Sequence, residues 1–348
     1  MNRGQNPLKR ERFERPLIIV AAPRSGSTLL FETLQQSPDL WSIGRESHAV
    51  FEQIPHLNPT KGICHSNLLT KKDASAEICA HIKNNFWQLC IDRNKQSLGL
   101  YKEKQSIRFL EKTPKNSLRI DFLKQIFNDA YYIYLVRDVR QNLSSMIEAW
   151  RSGNFITYPA LANWQGPWSL MLPPEYPRLK NMALEIIVAY QWYMANNSIL
   201  NDLSTLESKQ SIFLDYEALI HNTKDEILKL CRAADVEFDS HLSTYCEDLP
   251  LSKTTQTAPR KDKWKKNQDM IESVLPLLES TLVRIDQFQK GIHSEPLGAQ
   301  QFFESVPDKL LKGKKNNASA VIQNKQMKRN AICYCGSGKR FKHCHGAN

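Results

Sequence analysis

The chain contains no apolar run approaching the ~20 residues that a bilayer span requires, so no membrane-spanning segment is expected. An apolar leader is also missing: Met1 to Arg15 is polar and charged, and the first apolar run is only Leu17 to Val20. A secretory signal is therefore not expected, and the pattern predicts a soluble, cytoplasmic protein. Framework-spaced cysteines are absent too. Of the eight, Cys64, Cys79, Cys90, Cys231 and Cys246 are scattered, which excludes a disulfide scaffold, while Cys333, Cys335 and Cys344 cluster near the C-terminus. No internal repeat is present. Acidic residues are lacking from Lys309 onward, where ten Lys/Arg fall, so nearly all of the net charge of +11 sits in the tail. Such a tail suits an anionic partner or a solvated linker equally well.

Length and composition provide for one large core and a small appendage: 348 residues, 41% hydrophobic. The most informative stretch is Pro16 to Gln36. Leu17 to Val20 has the β-branched, continuously apolar character of a buried parallel strand. Leu29, Leu30, Phe31 and Leu34 then recur at helical spacing and stop before Ser37-Pro38. Between them, Ala22-Pro-Arg-Ser-Gly-Ser-Thr28 forms a turn that aims backbone N–H groups and a helix N-terminus at one point, which favours an anion. Gly26 permits close approach, Ser25, Ser27 and Thr28 add hydroxyl donors, and Arg24 adds charge. The nucleotide-triphosphate pattern Gly-x-x-x-x-Gly-Lys-Ser/Thr would need Gly at Ala21 and Lys at Ser27. Both are missing, and with the lysine goes its contact to β and γ phosphates.

Further strands are expected at Ile107 to Leu110, Tyr131 to Val136 and Ser211 to Leu214. Helices are expected at 74–96, 117–127, 139–150, 182–206, 223–233 and 270–288. This alternation predicts an α/β fold with a parallel sheet flanked by helices on both faces. Asn154 to Leu179, with five prolines, Trp164 and Trp168, breaks the rhythm and reads as a lid, a binding wall or a packed surface loop. Residues 291–328 have low hydrophobicity and read as a basic linker, leaving 1–290 as the main domain and 329–348 as a separate module.

A second anchor is Tyr132-Ile-Tyr-Leu-Val-Arg-Asp-Val-Arg-Gln-Asn-Leu-Ser-Ser-Met146. Ligands of open parallel sheets bind beyond the carboxyl ends of the strands. Arg137, at such an end, would bind a second phosphate with bidentate geometry. In the tail, Cys333, Cys335 and Cys344 with a following histidine have spacing that closes a tetrahedral zinc site, with His343 or His345 as the fourth ligand.

Pro-Arg-Ser-Gly-Ser-Thr-Leu resembles the 5′-phosphosulfate loop of sulfotransferases, nearest to the tyrosylprotein type. The run through Arg137 and Ser145 resembles the 3′-phosphate motif of the same family, whose arginine and serine hold that phosphate. Ile43-Gly-Arg-Glu46 looks like the family's Gly-Glu-Glu, which makes Glu46 the catalytic base and puts Arg45 where an acidic residue is usual. Lys112, in Glu-Lys-Thr-Pro, resembles the strand-end lysine that assists the transferring group. Asp215-Tyr-Glu-Ala-Leu matches a structural segment, and Leu251 to Lys253 with Lys263-Trp264 resembles the cofactor-closing loop. The resemblance spans Pro16 to about Leu277. It implies a P-loop-type fold and 3′-phosphoadenosine 5′-phosphosulfate (PAPS) as co-substrate. It also implies an acceptor hydroxyl, with proton transfer to Glu46 and charge neutralisation by Arg24 and Lys112. The tail resembles the SEC-C module found at the C-terminus of the translocase SecA, which assigns zinc to Cys333, Cys335, Cys344 and His345 and a protein or other anionic partner to the tail. Alternatives are a P-loop kinase or other nucleotide-binding enzyme, or a non-catalytic adaptor docking through its zinc module.

Overall fold

The computed structural model describes residues 12–61, 65–252 and 260–311. Its strands are β1 Leu17–Val20, β2 Leu40–Trp41, β3 Arg108–Lys112, β4 Tyr131–Val136, β5 Ile156–Tyr158, β6 Trp168–Ser169 and β7 Ser211–Asp215. In chain order the helices begin with α1 Ser27–Leu34, α2 His48–Glu52, α3 Ala76–Leu89, α4 Ile120–Ile126, α5 Val139–Ser152 and α6 Leu184–Leu203. They continue with α7 Tyr216–His221, α8 Thr223–Ala234, α9 Ser240–Tyr245, α10 Gln268–Val274, α11 Glu279–Gln289, α12 Ala299–Ser305 and α13 Asp308–Leu311.

Five strands form a parallel sheet in the order β2-β3-β1-β4-β7. From β1 the chain goes first to one side, through β2 and β3, and then to the other, through β4 and β7. The crevice at the carboxyl end of β1 is the switch point where such sheets bind ligands. Alternate residues of the buried strands face opposite layers. Ile18, Val20, Phe109, Tyr132 and Tyr134 pack in one core with α6, while Leu17, Ile19, Leu110, Ile133 and Leu135 pack in the other with Leu30, Leu34, Ile227 and Leu230.

Strands β1 and β4 lie where the sequence puts them, because a strand buried on both faces is a continuous apolar run. Apart from shifted element ends, such as the helix expected at 74–96 that stops at Leu89, the structure differs at four places. Strand β2, two residues long, has no periodicity to read. The expected helix 270–288 is broken by a 3-10 turn at Leu275–Leu278, where Pro276 supplies no backbone N–H. The aromatic stretch 154–179 contains an antiparallel hairpin, β5–β6, whose Trp168 is fully buried against Trp150 and Trp164. Finally, residues 291–306, read as linker, dock on α6. Phe302 is 0% exposed and its ring lies 5.0 Å from that of Tyr190 and 5.1 Å from that of Tyr193. Arg284 ties α11 to α6 through Asn197 Oδ1 at 2.5 Å and Asn201 Oδ1 at 2.9 Å. Among the described residues, no helix is long and apolar enough to cross a membrane.

Phe302→Ala is expected to cost about 3–5 kcal/mol, as for a large aromatic lost from a packed core. Denaturant unfolding measures it. A cost below about 1 kcal/mol would mean that residues 291–306 are not an integral part of the domain.

Candidate active site

The turn after β1 passes through two left-handed residues, Arg24 at φ 69° and Gly26 at φ 96°. Ser25 N–H turns back to Ala22 O at 3.3 Å, and the left-handed step at Gly26 leads directly into the N-terminus of α1, an end that favours an anion. A Cβ on Gly26 would stand 2.3 Å from Tyr216 Cε2, so both the left-handed φ and the close approach require glycine. Asn142 on α5 clamps the turn from behind: its Nδ2 donates to Pro23 O at 2.8 Å and its Oδ1 accepts from Ser25 Oγ at 3.1 Å. Ser25 is thus buried against α5, whereas Ser27 and Thr28 line the cavity in front of the turn.

Arg137, at the end of β4, donates from Nη1 to Arg24 O at 3.2 Å and from Nη2 to Gln141 at 3.1 Å; its Nε is buried without a partner. Its guanidinium lies 4.7 Å from the ring of Tyr216, and that of Arg24 lies 4.3 Å from the ring of Phe155. Burial and then repulsion from Arg137 push Arg24 down to about 10. Lys263 is lowered by burial, and by Arg137 and Arg24. Positive groups crowded in this way gain most from a multivalent anion among them.

Beside this cradle, Lys112 at the end of β3 donates to Glu46 Oε1 at 2.6 Å and to Thr28 Oγ1 at 3.1 Å. The other Glu46 oxygen contacts His48 Nε2 at 2.8 Å. Burial would raise the Glu46 carboxyl, but Lys112 and His48 outweigh it and hold Glu46 well below the usual carboxylate range. Burial and the charge of Lys115 lower His48.

The pair is pinned from beneath. Glu111, fully buried, accepts at Oε1 from Ser47 at 2.6 Å, Thr113 at 2.8 Å and Asn116 at 3.0 Å. Ser47 N also donates to Thr113 Oγ1 at 2.8 Å. The neighbours of Glu46 and Lys112 in the chain are therefore bonded to each other. Desolvation raises Glu111.

Arg24, Gly26, Ser27, Thr28, Glu46, Lys112, Arg137 and Ser145 all line one cavity of about 1240 Å³; Ser25 is not on its wall. Arg45, Ser252, Lys263 and Trp264 reach it as well. Sequence reasoning missed Asn142, although it sits inside the second motif, and Phe155 of the hairpin. It also missed Glu52, Lys115 and Tyr158, none of which lies in a recognisable pattern. Among the described residues, no group of three or more His, Cys, Asp or Glu is placed to hold a metal ion. Cys333, Cys335, Cys344 and His345 lie outside the described residues.

Residues 16–240 match the model of the Sulfotransferase family, and the chain belongs to that family. Residues 329–347 match the SEC-C motif. The chain is similar over 67% of its length to the sulfotransferase domain from the curacin biosynthetic pathway, at 20% identity, 77% coverage of that chain and a TM-score of 0.40. It is also similar over 83% of its length to the sulfotransferase STF9 from Mycobacterium avium, at 15% identity, 79% coverage and a TM-score of 0.43. Among curated proteins, it is 63% identical over 30 residues to protein translocase subunit SecA of Pseudomonas fluorescens. That match takes in 8% of this chain and 3% of the translocase.

Burial pushes Lys115 down to about 8, against 10.5 for a free lysine. The unfolded chain binds more protons between those values, so this group adds stability as pH rises through the window. A ¹³Cε titration is expected to show Lys115 losing its proton near pH 8; a transition at or above 10.5 would contradict the desolvated environment.

Proposed function

We propose that the protein transfers a sulfuryl group from PAPS to an acceptor hydroxyl. The observation that carries this reading is the meeting, in one cavity, of an anion cradle with the Lys112–Glu46 pair. The turn of residues 22–28, with Gly26, Ser27 and Thr28 on the cavity wall, and the N-terminus of α1 suit the 5′-phosphosulfate. Arg137, with a buried unpartnered Nε, and Ser145 suit the 3′-phosphate. Backbone N–H groups, guanidinium and hydroxyls are the donors an anionic co-substrate calls for, so the residues present fit it.

In the reaction the acceptor oxygen attacks sulfur, and the new S–O bond forms as the bond from sulfur to the 5′-phosphate oxygen breaks. The electron pair of the broken bond leaves with 3′-phosphoadenosine 5′-phosphate. Glu46 takes the hydroxyl proton. Lys112 and Arg24 neutralise charge on the bridging and equatorial oxygens. Lys112 serves both ends of this transfer. Paired with it, Glu46 is a weak base; once Lys112 turns to the phosphosulfate, the Glu46 carboxylate is released and its basicity rises. His48 keeps the freed carboxylate oriented.

Labelled PAPS with an accepted hydroxyl compound tests the reading. Glu46→Gln is expected to retain cofactor binding while turnover falls roughly 10²–10⁴-fold, and Arg137→Ala to lose about 2–5 kcal/mol of affinity for 3′-phosphoadenosine 5′-phosphate by calorimetry. Near-normal turnover of the first variant, or unchanged affinity of the second, would remove the corresponding role.

For the tail, we propose that Cys333, Cys335, Cys344 and His345 bind one zinc, the donor set of a closed structural site, in a docking module dispensable for chemistry. Lys339, Arg340 and Lys342 suit an anionic partner surface. Metal analysis is expected to find one zinc per full chain and none in a chain ending after residue 311. No zinc in protein purified without chelator would overturn the ligand set.

A further inference from the structure

The chemistry above uses only part of the cavity wall. One turn of α2 beyond His48, that wall carries a second lysine–carboxylate pair: Lys115, three residues beyond Lys112, donates to Glu52, the last residue of α2. Lys115 Nζ also donates to Tyr158 Oη at 2.9 Å, Tyr158 donates to Glu52 Oε1 at 3.1 Å, and Asn67 Nδ2 donates to the phenol oxygen at 2.6 Å. Arg119, fully buried, stands 3.7 Å from the same Glu52 oxygen. All these contacts of Glu52 fall on Oε1, and Oε2 is not among the buried unpartnered atoms. One carboxylate oxygen is thus left for whatever fills this part of the cavity. The Lys115 side chain is 3% exposed, so the pair is a built feature of the wall and not a surface ion pair.

We propose that Glu52 and Lys115 form the acceptor subsite, and that the acceptor is a neutral, polyhydroxylated compound of the saccharide class. This rests on the sulfuryl-transfer reading. The acceptor presents its reacting hydroxyl to Glu46 and a second hydroxyl to Glu52 Oε2.

Charge, polarity, placement and volume each support it. The oxygen left over belongs to a carboxylate, which repels an anionic acceptor, and its charge is already met by Lys115 and Arg119, which leaves little to attract a cationic one. An apolar acceptor would take water from the Glu52 carboxylate and return no hydrogen bond, which is costly. Hydroxyl groups both donate and accept, and this wall mixes the two, with Asn58 and Thr60 beside the pair. His48, bonded to Glu46, and Glu52 are i and i+4 on α2 and so share one face of that helix, which brings both carboxylates to the same stretch of wall. The cavity, at about 1240 Å³, exceeds the roughly 300–1,000 Å³ typical of one drug-sized ligand, leaving room for co-substrate and acceptor together.

The test compares methyl glucoside and maltose with 4-nitrophenol and 1-octanol as acceptors of labelled sulfur from PAPS, using the full chain. A saccharide is expected to exceed both apolar hydroxyls in kcat/KM by at least roughly tenfold. Glu52→Gln is expected to raise KM for that saccharide roughly tenfold, with kcat and affinity for 3′-phosphoadenosine 5′-phosphate nearly unchanged. Tyr158→Phe, which keeps the Lys115–Glu52 pair, is expected to raise KM less. Should Glu52→Gln not fold, the wild-type acceptor comparison decides alone. Preference for the phenol or alkanol, indifference of KM to Glu52→Gln, or cofactor binding without transfer to either saccharide would overturn the subsite. Failure to bind 3′-phosphoadenosine 5′-phosphate at all would overturn the sulfuryl-transfer reading on which it rests.

Discussion

A buried carboxylate holds the centre of this molecule together. Glu111 lies in β3 with no exposed surface, and its Oε1 gathers hydrogen bonds from Ser47, Thr113 and Asn116. Ser47 follows Glu46 and Thr113 follows Lys112, so this knot fixes two segments that are far apart in sequence at hydrogen-bonding distance. Ser47 Oγ and Thr113 Oγ1 also lie 2.9 Å apart, so loss of the Glu111 acceptor would strand one of these hydroxyl donors and Asn116 Nδ2, at about 1–3 kcal/mol each. The Lys112–Glu46 contact, and through Thr28 the register of α1 against β3, depend on it.

Around that knot the cavity is organised by competition between desolvation and Coulomb attraction. For Glu46 the attraction wins, and the carboxyl is held low. For Lys115 desolvation wins despite Glu52, and the ammonium is pushed down to about 8. In the cradle, burial and the like charge of Arg137 push Arg24 down to about 10, a cost that a polyanion beside it would relieve. The three regions thus have distinct electrostatic characters: a positively charged cradle, the tight Lys112–Glu46 pair, and a wall where Glu52 is held by Lys115 and Arg119.

Much of this was legible in the sequence because short-range pattern encodes it. Strands β1 and β4 are apolar runs with clear edges, and the loop between β1 and α1 carries its residues consecutively. Arg137 and Ser145 are read from one continuous strand–helix segment. What was not legible depends on distant pairing. Glu52 and Lys115 are 63 residues apart and each is unremarkable alone. The hairpin partners Tyr158 and Trp168 meet across a proline-rich turn. Residues 291–306 are hydrophilic on average, yet two adjacent aromatics, Phe302 and Phe303, dock them onto Tyr190; averaging over a window conceals so small an anchor.

The most direct measurement is the structure of the protein with 3′-phosphoadenosine 5′-phosphate bound. The 5′-phosphate is expected within hydrogen-bond distance of the backbone of residues 25–28 and the 3′-phosphate on Arg137. Lys112 is expected to have turned toward the 5′-phosphate and away from Glu46, from which it stands 2.6 Å in this structure. Nucleotide bound outside this cradle, or bound in it with the Lys112–Glu46 contact intact, would contradict the central claim that one lysine couples the cofactor to the base.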